Sequence, residues 1–387
     1  MIEPWPLMEE TITLTDRLKM AKFILTAGRL TNGPRVRRFE KEWSEWLGTK
    51  NSLYVGNGSL ANFLLVAAVK EYYDLKDGDK VLVPATTWMT NVAPIIQNNL
   101  EPIFCDINLN NYSFDKDELK YVAEQHPDIK MVFITHLIGL SSDVEYVKEI
   151  FPDALILEDV CESHGVEGPD GKKRGTHSIG STFSFYFGHH ITTIEGGMIC
   201  TDNEELHDLM RIKRSHGMAR ESDLYFPQYA SQNPNIDPAF LFVTDGYNFR
   251  NHEVCAVLGS SQLKKLDRNV ELRRENYDWW LKKAQDHIFK YYLPEFQKGN
   301  SSFSFPLICR EKENAQKLKQ VFKDEGIEYR PVISGNLLYH PAFKKYSLCT
   351  QRETPNVNIL HDHGLYVGNS QFVCFDKLQH LIQLMDI

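Results

Sequence analysis

The stretch FSFYFGHHITTIEGG occupies residues 183–197 and combines an apolar run, a pair of histidines and a glycine turn. Its aromatic and β-branched start predicts a buried strand over residues 182–185. Because neighbouring side chains of a strand point to opposite faces, His189 and His190 cannot readily share an ion, and no metal site is predicted. An imidazole with an ordinary pKa of about 6.5 suits proton transfer near neutral pH, and a buried structural histidine is the alternative.

Length and charge limit what the chain can do. Its 387 residues exceed the roughly 250–300 that one hydrophobic core usually holds, so a large and a smaller domain are expected. A formal charge of −9 argues against a nucleic acid or an anionic membrane as the main partner. Seven scattered cysteines without a Cys-x-x-Cys pair are unlike a disulfide framework or a zinc site. With no run of transmembrane length and no signal-peptide pattern, a cytoplasmic protein is expected.

Strand and helix patterns alternate through the first 250 residues. Short β-branched runs predict buried strands at 53–55, 81–83, 103–105, 131–135, 155–157 and 182–185. Helical patterns lie at 60–73, 88–97, 144–150 and 206–214. This alternation predicts an α/β sheet with helices on both faces and functional groups at the strand ends. A long helical stretch at 254–283 marks a change, so domains of 1–250 and 251–387 are expected.

A phosphate-binding turn is predicted where the first strand meets the helix at 60–73. Asn57, Gly58 and Ser59 place flexible backbone and a hydroxyl at the positive N-terminus of that helix. An ordinary helix cap is the alternative, because a serine satisfies free N–H groups wherever it occurs. Ser184 supplies a second candidate hydroxyl, with an ordinary strand serine as its alternative.

Two further candidates follow predicted strands. Asp159 comes after the strand at 155–157, at the edge where α/β sheets bind ligands, although such an aspartate is often only a helix cap. Trp88 follows the strand at 81–83, and its alternative is a place in the core, because burial of a large aromatic surface is favourable without a ligand. The basic runs at 35–38 and 172–174 predict solvated faces.

In this order and spacing, the motifs resemble those of the DegT/DnrJ/EryC1/StrS family of pyridoxal phosphate (PLP) enzymes, which act on nucleotide-linked keto-sugars. The resemblance covers most of the chain, through Gly33-Pro34, Phe39-Glu40, the stretch GYNFR at 246–250, and Arg330-Pro331. It implies an aspartate aminotransferase-like α/β fold (fold type I), with a large domain on a mixed, mostly parallel sheet and a smaller C-terminal α+β domain.

Three positions depart from the aminotransferases of that family. His189 stands where they carry the lysine that binds the cofactor as a Schiff base, a bond that histidine cannot form. Glu162 replaces a common glutamine, and Ile194 replaces the usual glycine. All three departures resemble the branch of the family that removes a C3 hydroxyl.

The resemblance also implies a role for each candidate. His189 is implied as the catalytic residue, first base and then acid. The implied cofactor-binding residues are Gly58, Ser59, Trp88, Asp159, Glu162, Ser184 and Asn248. The implied substrate-binding residues are His216, Arg250 and Arg330. Asn248 is implied to reach the cofactor phosphate of a neighbouring subunit, so a homodimer with shared sites is expected.

The implied activity is that of a dehydratase dependent on pyridoxamine phosphate (PMP). It would remove the C3 hydroxyl of a GDP-linked 4-keto-6-deoxy sugar, for the deoxysugars of an O-antigen or capsule. L-Glutamate would regenerate PMP, with release of 2-oxoglutarate and ammonia and without a reductase partner.

Three alternatives stay open. A 3-dehydrase of CDP-linked 4-keto-6-deoxyglucose also carries histidine but uses an iron–sulfur cluster and a reductase, and this chain lacks closely spaced cysteines for such a cluster. A sugar-nucleotide aminotransferase would install the amine instead of releasing it. A non-catalytic relative would only bind the cofactor or the sugar nucleotide.

Overall fold

In the computed structural model, the described residues are 4–348 and 354–387. The strands are β1 Asn51–Val55, β2 Lys80–Pro84, β3 Glu101–Cys105, β4 Ile129–Thr135, β5 Leu155–Asp159, β6 Gly180–Ser184, β7 Gly197–Thr201, β8 Tyr291–Tyr292, β9 Ser304–Cys309, β10 Tyr329–Arg330 and β11 Gly364–Gly368. The helices are α1 Leu14–Thr26, α2 Pro34–Leu47, α3 Gly58–Tyr72, α4 Met89–Gln97, α5 Lys116–Gln125, α6 Val144–Ile150, α7 Glu204–Arg214, α8 Phe226–Gln232, α9 Glu253–Ala284, α10 Lys312–Glu325, α11 Pro355–His363 and α12 Phe375–Leu384. Short 3₁₀ turns lie at Ala219–Glu221, Pro238–Phe240, Gln285–His287, Leu337–Tyr339 and Lys344–Leu348.

The main sheet has the strand order β1-β7-β6-β5-β4-β2-β3 within the described part of the chain. The strands from β6 to β3 pair in parallel, whereas β7 runs antiparallel to both of its neighbours, β1 and β6. All six predicted strands are present in this mixed, mostly parallel sheet. The strand β7 was not predicted, because its short run of apolar residues follows directly on the Gly-Gly turn.

Helices cover both faces of the main sheet, as predicted. Met131 and Phe133 of β4 pack in the same apolar cluster as Leu64 of α3. The alternate residues of β4 face the other way, where Val132 packs in a cluster with Leu119 of α5. A strand that is buried on both faces needs apolar side chains at every position, which explains the continuous apolar runs in the sequence.

A second sheet lies in the C-terminal part of the chain. Its order is β10-β11-β9-β8, and all of its pairs are antiparallel. The long helix α9 precedes it and packs against α1 and α2. The domain boundary near residue 250 stays a prediction. None of the helices described in residues 4–348 and 354–387 is long and apolar enough to cross a membrane.

The parallel strands bring the candidate residues to one edge. β5 ends on Asp159, β6 ends on Ser184, and the turn after β1 leads directly into α3 at Gly58. Because parallel strands end at the same edge of a sheet, these residues meet there. The predicted strand at 182–185 ends one residue early, and the two histidines lie in the turns after β6 and not on the strand.

Candidate active site

A cavity of about 480 Å³ opens at the carboxyl edge of the main sheet. Eight of the predicted site residues line it, namely Gly58, Ser59, Trp88, Asp159, Glu162, Ser184, His189 and Arg330. They come from α3, β5, β6, β10 and the loops beside them, so residues far apart in the sequence converge on one space. The remaining three, His216, Asn248 and Arg250, do not line this cavity.

One end of the cavity is built like an anion site. The side chain of Asn57 caps α3 by accepting the N–H of Leu60 at 2.9 Å, and the other N–H groups of the first turn have no partner within the helix. Ser59 and Ser184 bring their side chains to this turn. A Cβ on Gly58 would lie 2.7 Å from the Cβ of Ser184, so only glycine lets the turn approach β6 this closely. Free N–H groups, hydroxyls and the helix dipole together suit a phosphate.

Asp159 lines the cavity, and its side chain is held in one orientation by hydrogen bonds. Its Oδ2 accepts the side-chain amides of Asn62 at 3.0 Å and Asn91 at 2.8 Å, and its Oδ1 accepts the N–H of Cys161 at 2.8 Å. A carboxylate offers about four acceptor positions, so three bonds leave room for one more donor. The alternative that Asp159 is only a helix cap fails, because no helix begins there.

Glu162 lies near Asp159 and carries a shifted pKa. Burial raises its pKa to about 8; the N–H of Ile138, donated to Oε2 at 3.1 Å, opposes the rise, and the nearby charge of Asp159 adds to it. Glu162 is therefore mostly a neutral carboxylic acid at pH 7, and it can donate a hydrogen bond into the cavity.

The two histidines of the catalytic segment have different surroundings. His190 is fully buried, and its Nε2 lies 2.6 Å from the carbonyl oxygen of Ser301. These surroundings are those of a histidine with a structural role. His189 lines the cavity, and its buried Nδ1 has no hydrogen-bond partner in the described structure. Burial lowers the pKa of His189 to about 4, with Asp159 opposing and the Arg273 guanidinium adding to the shift. A neutral imidazole at pH 7 can accept a proton.

An aromatic and a cationic residue of the cavity lining, Trp88 and Arg330, are exposed to solvent. Trp88 precedes α4 and remains 55% exposed, so it is not a core residue and its ring can face a ligand. Arg330 lies exposed on β10, opposite Tyr366 of β11, and both side chains line the cavity. Burial raises the pKa of Tyr366 to about 12.

The three predicted residues outside the cavity form a group of their own. The Nε of Arg250 donates to Oδ1 of Asn248 at 3.0 Å, and its Nη2 lies 3.4 Å from Nε2 of His216. Asn248 is exposed, and it pairs with Ser215 through an isolated bridge. The exposed Asn248 is therefore free to contact another molecule, and none of the three residues lines the cavity.

Several residues of the site were not predicted from the sequence. Asn62 and Asn91, which orient Asp159, were not identified. Both are buried asparagines near the start of a helix that follows a strand of the main sheet, and this position in the sequence pattern could have indicated them. Tyr366, Phe303 and Glu195 also line the cavity, and only the fold brings them there. In residues 4–348 and 354–387, no group of three or more His, Cys, Asp and Glu side chains could hold a metal. Six cysteines in that part are free, and Cys349 lies outside it.

Comparison with known proteins places this chain. Residues 12–385 match the model of the DegT/DnrJ/EryC1/StrS aminotransferase family. The chain is 34% identical over 373 residues to GDP-4-keto-6-deoxy-D-mannose 3-dehydratase of Yersinia pseudotuberculosis, covering 94% of this chain and 93% of that protein. It is 32% identical over 380 residues to the enzyme of the same name from Escherichia coli O55:H7, covering 95% and 96%.

Solved structures agree with this assignment. The E. coli GDP-4-keto-6-deoxy-D-mannose-3-dehydratase with bound hydrated PLP superimposes with a TM-score of 0.89 at 30% identity, covering 98% of this chain and 99% of that one. A histidine-to-asparagine variant of such an enzyme with bound GDP-perosamine gives 0.89, and a structure with a trapped PLP-glutamate geminal diamine gives 0.87, each at 30% identity, covering 98% of this chain and all of the other.

The predicted aspartate aminotransferase-like fold is therefore confirmed, and so is the predicted family. The match extends over nearly the whole chain and rests on both sequence and structure. The chain belongs to the DegT/DnrJ/EryC1/StrS aminotransferase family.

Proposed function

We propose that this protein is a PLP/PMP-dependent dehydratase that removes the C3 hydroxyl of a GDP-linked 4-keto-6-deoxy sugar. L-Glutamate regenerates PMP, and 2-oxoglutarate and ammonia leave. The observation that carries the proposal is His189, an imidazole in the cavity at the position where the aminotransferases of the family hold their lysine. The similarity to 3-dehydratases, and their structures with GDP-perosamine and a PLP-glutamate adduct, support the same substrates.

The residues of the cavity fit the cofactor. The first turn of α3, with Ser59 and Ser184, suits its phosphate, and the free acceptor position of Asp159 suits its pyridinium N–H. The exposed ring of Trp88 is available to stack on the pyridine. When bound, the cofactor supplies an amino group for the C4 ketone and an electron-accepting ring, which the negative charge of Asp159 keeps protonated.

His189 performs the proton transfers in this proposal. Because Nδ1 is buried, we assign Nε2 as the nitrogen that faces the cavity. It would accept a proton from the methylene group of the cofactor and would then donate one to the C3 hydroxyl, which leaves as water. The surroundings that lower the pKa of His189 disfavour the imidazolium, so it returns its proton readily. Each such role typically contributes about 10²- to 10⁴-fold to the rate.

The rest of the cavity binds and orients. Glu162, neutral at pH 7, donates a hydrogen bond towards the cofactor hydroxyl or the sugar. Arg330 offers a cation for the carboxylate of glutamate or the phosphates of the nucleotide. No step in this scheme requires electrons from a partner protein, because the oxidation of glutamate to 2-oxoglutarate balances the reduction at C3.

We further propose that the protein forms a homodimer with shared active sites and that it is cytoplasmic. His216, Asn248 and Arg250 lie together outside the cavity of their own chain, with Asn248 exposed. In the dimer, Asn248 reaches the cofactor phosphate of the partner and Arg250 faces an anionic substrate group there. The boundary near residue 250 between a large and a smaller domain is part of the same proposal.

The test is to incubate the protein with PLP, L-glutamate and GDP-4-keto-6-deoxymannose, and to follow 2-oxoglutarate, ammonia and the mass of the sugar nucleotide. Equimolar 2-oxoglutarate and ammonia with a product lighter by one oxygen support the proposal. An amino-sugar product would indicate an aminotransferase instead. A dependence on added reductase would indicate the CDP-type chemistry, and absence of any glutamate turnover would indicate a non-catalytic relative.

A further inference from the structure

A second cavity, of about 410 Å³, lies between α2, α7 and the start of β1. Lys50 and Asn51 line it at the amino end of β1, whereas the candidate active site lies beyond the carboxyl end of the same strand. The two cavities share no lining residue. Nothing in the proposed reaction uses this second space.

Basic side chains dominate the walls of this cavity. His207, Arg211 and Arg214 lie four and three residues apart along α7, so they share one face of the helix. Arg211 and Arg214 are 6% and 3% exposed. Arg37 and Lys41 add positive charge from α2 on the opposite side.

The three acidic residues of the lining, Glu40, Glu45 and Asp223, are fewer than its five lysines and arginines, and Glu45 pairs with Lys41 at 3.7 Å. Arg37 and Arg211 share one carboxylate, that of Asp223, with Arg37 at 4.0 Å. Arg214 pairs with Glu40 at 2.7 Å. The pKa of Arg211 is lowered by burial and by the nearby charges of Arg37 and Arg214, as expected for cations that repel one another.

Two residues that line this cavity carry a buried donor group without an acceptor. The Nε of Arg214 and the Nδ2 of Asn51 are buried, and neither has a hydrogen-bond partner within the described structure. Buried donors without partners are rare in native proteins, and each indicates a group that is not yet accounted for. An anion in the cavity would offset the surplus positive charge of its lining.

We propose that this cavity binds a phosphate group, either free inorganic phosphate or the phosphate of a small ester or nucleotide. Arginine favours this chemistry over a point-like anion, because its planar guanidinium donates two parallel hydrogen bonds to an oxyanion. Arg37, Arg211 and Arg214 line the space from two helices. The site is separate from the one that takes the cofactor phosphate.

The test is calorimetric titration of the PLP-loaded protein with inorganic phosphate and, separately, with GDP, at constant ionic strength set with chloride. Arg37→Met is the first variant, because the Arg37 side chain is 64% exposed and its loss should leave the fold intact. We expect at least tenfold weaker phosphate binding in Arg37→Met and in Arg211→Met. Asp223→Asn frees both arginines, so it is expected to tighten binding at least threefold.

Two controls separate this site from others. Arg268→Met removes an arginine that is 63% exposed on α9, outside the cavity, and should leave binding unchanged. Ser59→Ala alters the cofactor turn and should also leave the second site unchanged. Unchanged phosphate and GDP affinity in both Arg37→Met and Arg211→Met would overturn the proposal, as would a loss of binding confined to Ser59→Ala. If Arg37→Met weakens the binding of GDP but not of inorganic phosphate, the ligand is a nucleotide. If Arg37→Met weakens the binding of inorganic phosphate, the free ion is sufficient.

Discussion

At the scale of single residues, burial keeps His189 neutral at pH 7, since its pKa falls to about 4. A lysine at this position would bind the cofactor covalently and be released only by exchange with an amine. The imidazole makes no such bond, so it stays free to accept and return a proton. The chemistry of the site therefore depends on the identity of this one side chain, whose protonation is set by its surroundings.

Replacing His189 with lysine tests this dependence. His189→Lys should gain a covalent link to PLP, because the amine can reach the same space as the imidazole. Reduction with borohydride followed by mass spectrometry should show the added cofactor mass, and C3 deoxygenation should be lost. His190→Asn is the matched control, since His190 contacts the Ser301 carbonyl and should gain no link. Dehydration that persists in His189→Lys would refute His189 as the essential base.

Glu162 should set the alkaline limb of the pH profile. With a pKa of about 8, it is protonated below that pH and loses its donated hydrogen bond above it, while His189 stays neutral down to about pH 4. The profile of kcat/KM should therefore fall on the acid side near pH 4 and on the alkaline side near pH 8.

Glu162→Gln provides the check on this assignment. An amide donates a hydrogen bond at every pH, so activity at pH 7 should remain within about tenfold, and the fall near pH 8 should disappear. Glu195→Gln, which changes another acid of the cavity, should keep the alkaline limb. An unchanged limb in Glu162→Gln would assign that titration to another group.

At the scale of elements, the start of α3 is positioned by its contact with β6. A Cβ on Gly58 would lie 2.7 Å from the Cβ of Ser184, so Gly58→Ala should push the helix away from the strand. PLP affinity should fall at least tenfold, measured by fluorescence titration. Alanine favours a helix over glycine by roughly 0.5–1 kcal/mol, so weaker helix formation cannot explain the loss. Gly28→Ala, where nothing lies within 4 Å, should bind PLP normally.

The elements that sequence predicts well are those whose pattern comes from burial on both faces. The apolar runs identified six strands of the main sheet, and the predicted helix at 144–150 matches α6. The chemistry of individual charges was harder to predict. Arg174, expected on a solvated face, is 1% exposed, because its guanidinium makes two hydrogen bonds to Glu145 and one to Ser141 Oγ. Such a partner, 29 residues away, comes only from the fold.

Strained backbone was equally invisible to the sequence patterns. Ile194 has a φ of 72°, a left-handed conformation that is unusual for a β-branched residue, and its side chain is 52% exposed beside the cavity residue Glu195. Residues held in such conformations cluster at functional sites. The sequence shows that Ile194 replaces the usual glycine, but it does not show that the backbone of Ile194 is left-handed.

At the scale of the whole molecule, the group of His216, Asn248 and Arg250 lies outside the cavity of its own chain. Most of the cavity was predictable, because strand ends of a parallel sheet converge whatever the details of packing. The sharing of sites between two chains was predicted only from the family resemblance, because a sequence pattern by itself does not state which exposed residues meet a partner. The proposed dimer makes each site depend on His189 of one subunit and on Arg250 of the other.

Mixing two inactive variants tests this sharing directly. His189→Asn and Arg250→Met should each be inactive as homodimers, because every site lacks one group. In a mixed dimer, one site joins the intact His189 of one chain to the intact Arg250 of the other. Random assembly makes half of the dimers mixed, so co-expression should recover about a quarter of wild-type activity, measured as 2-oxoglutarate release. Sites built within single chains would recover none, because each chain would still carry its own defect.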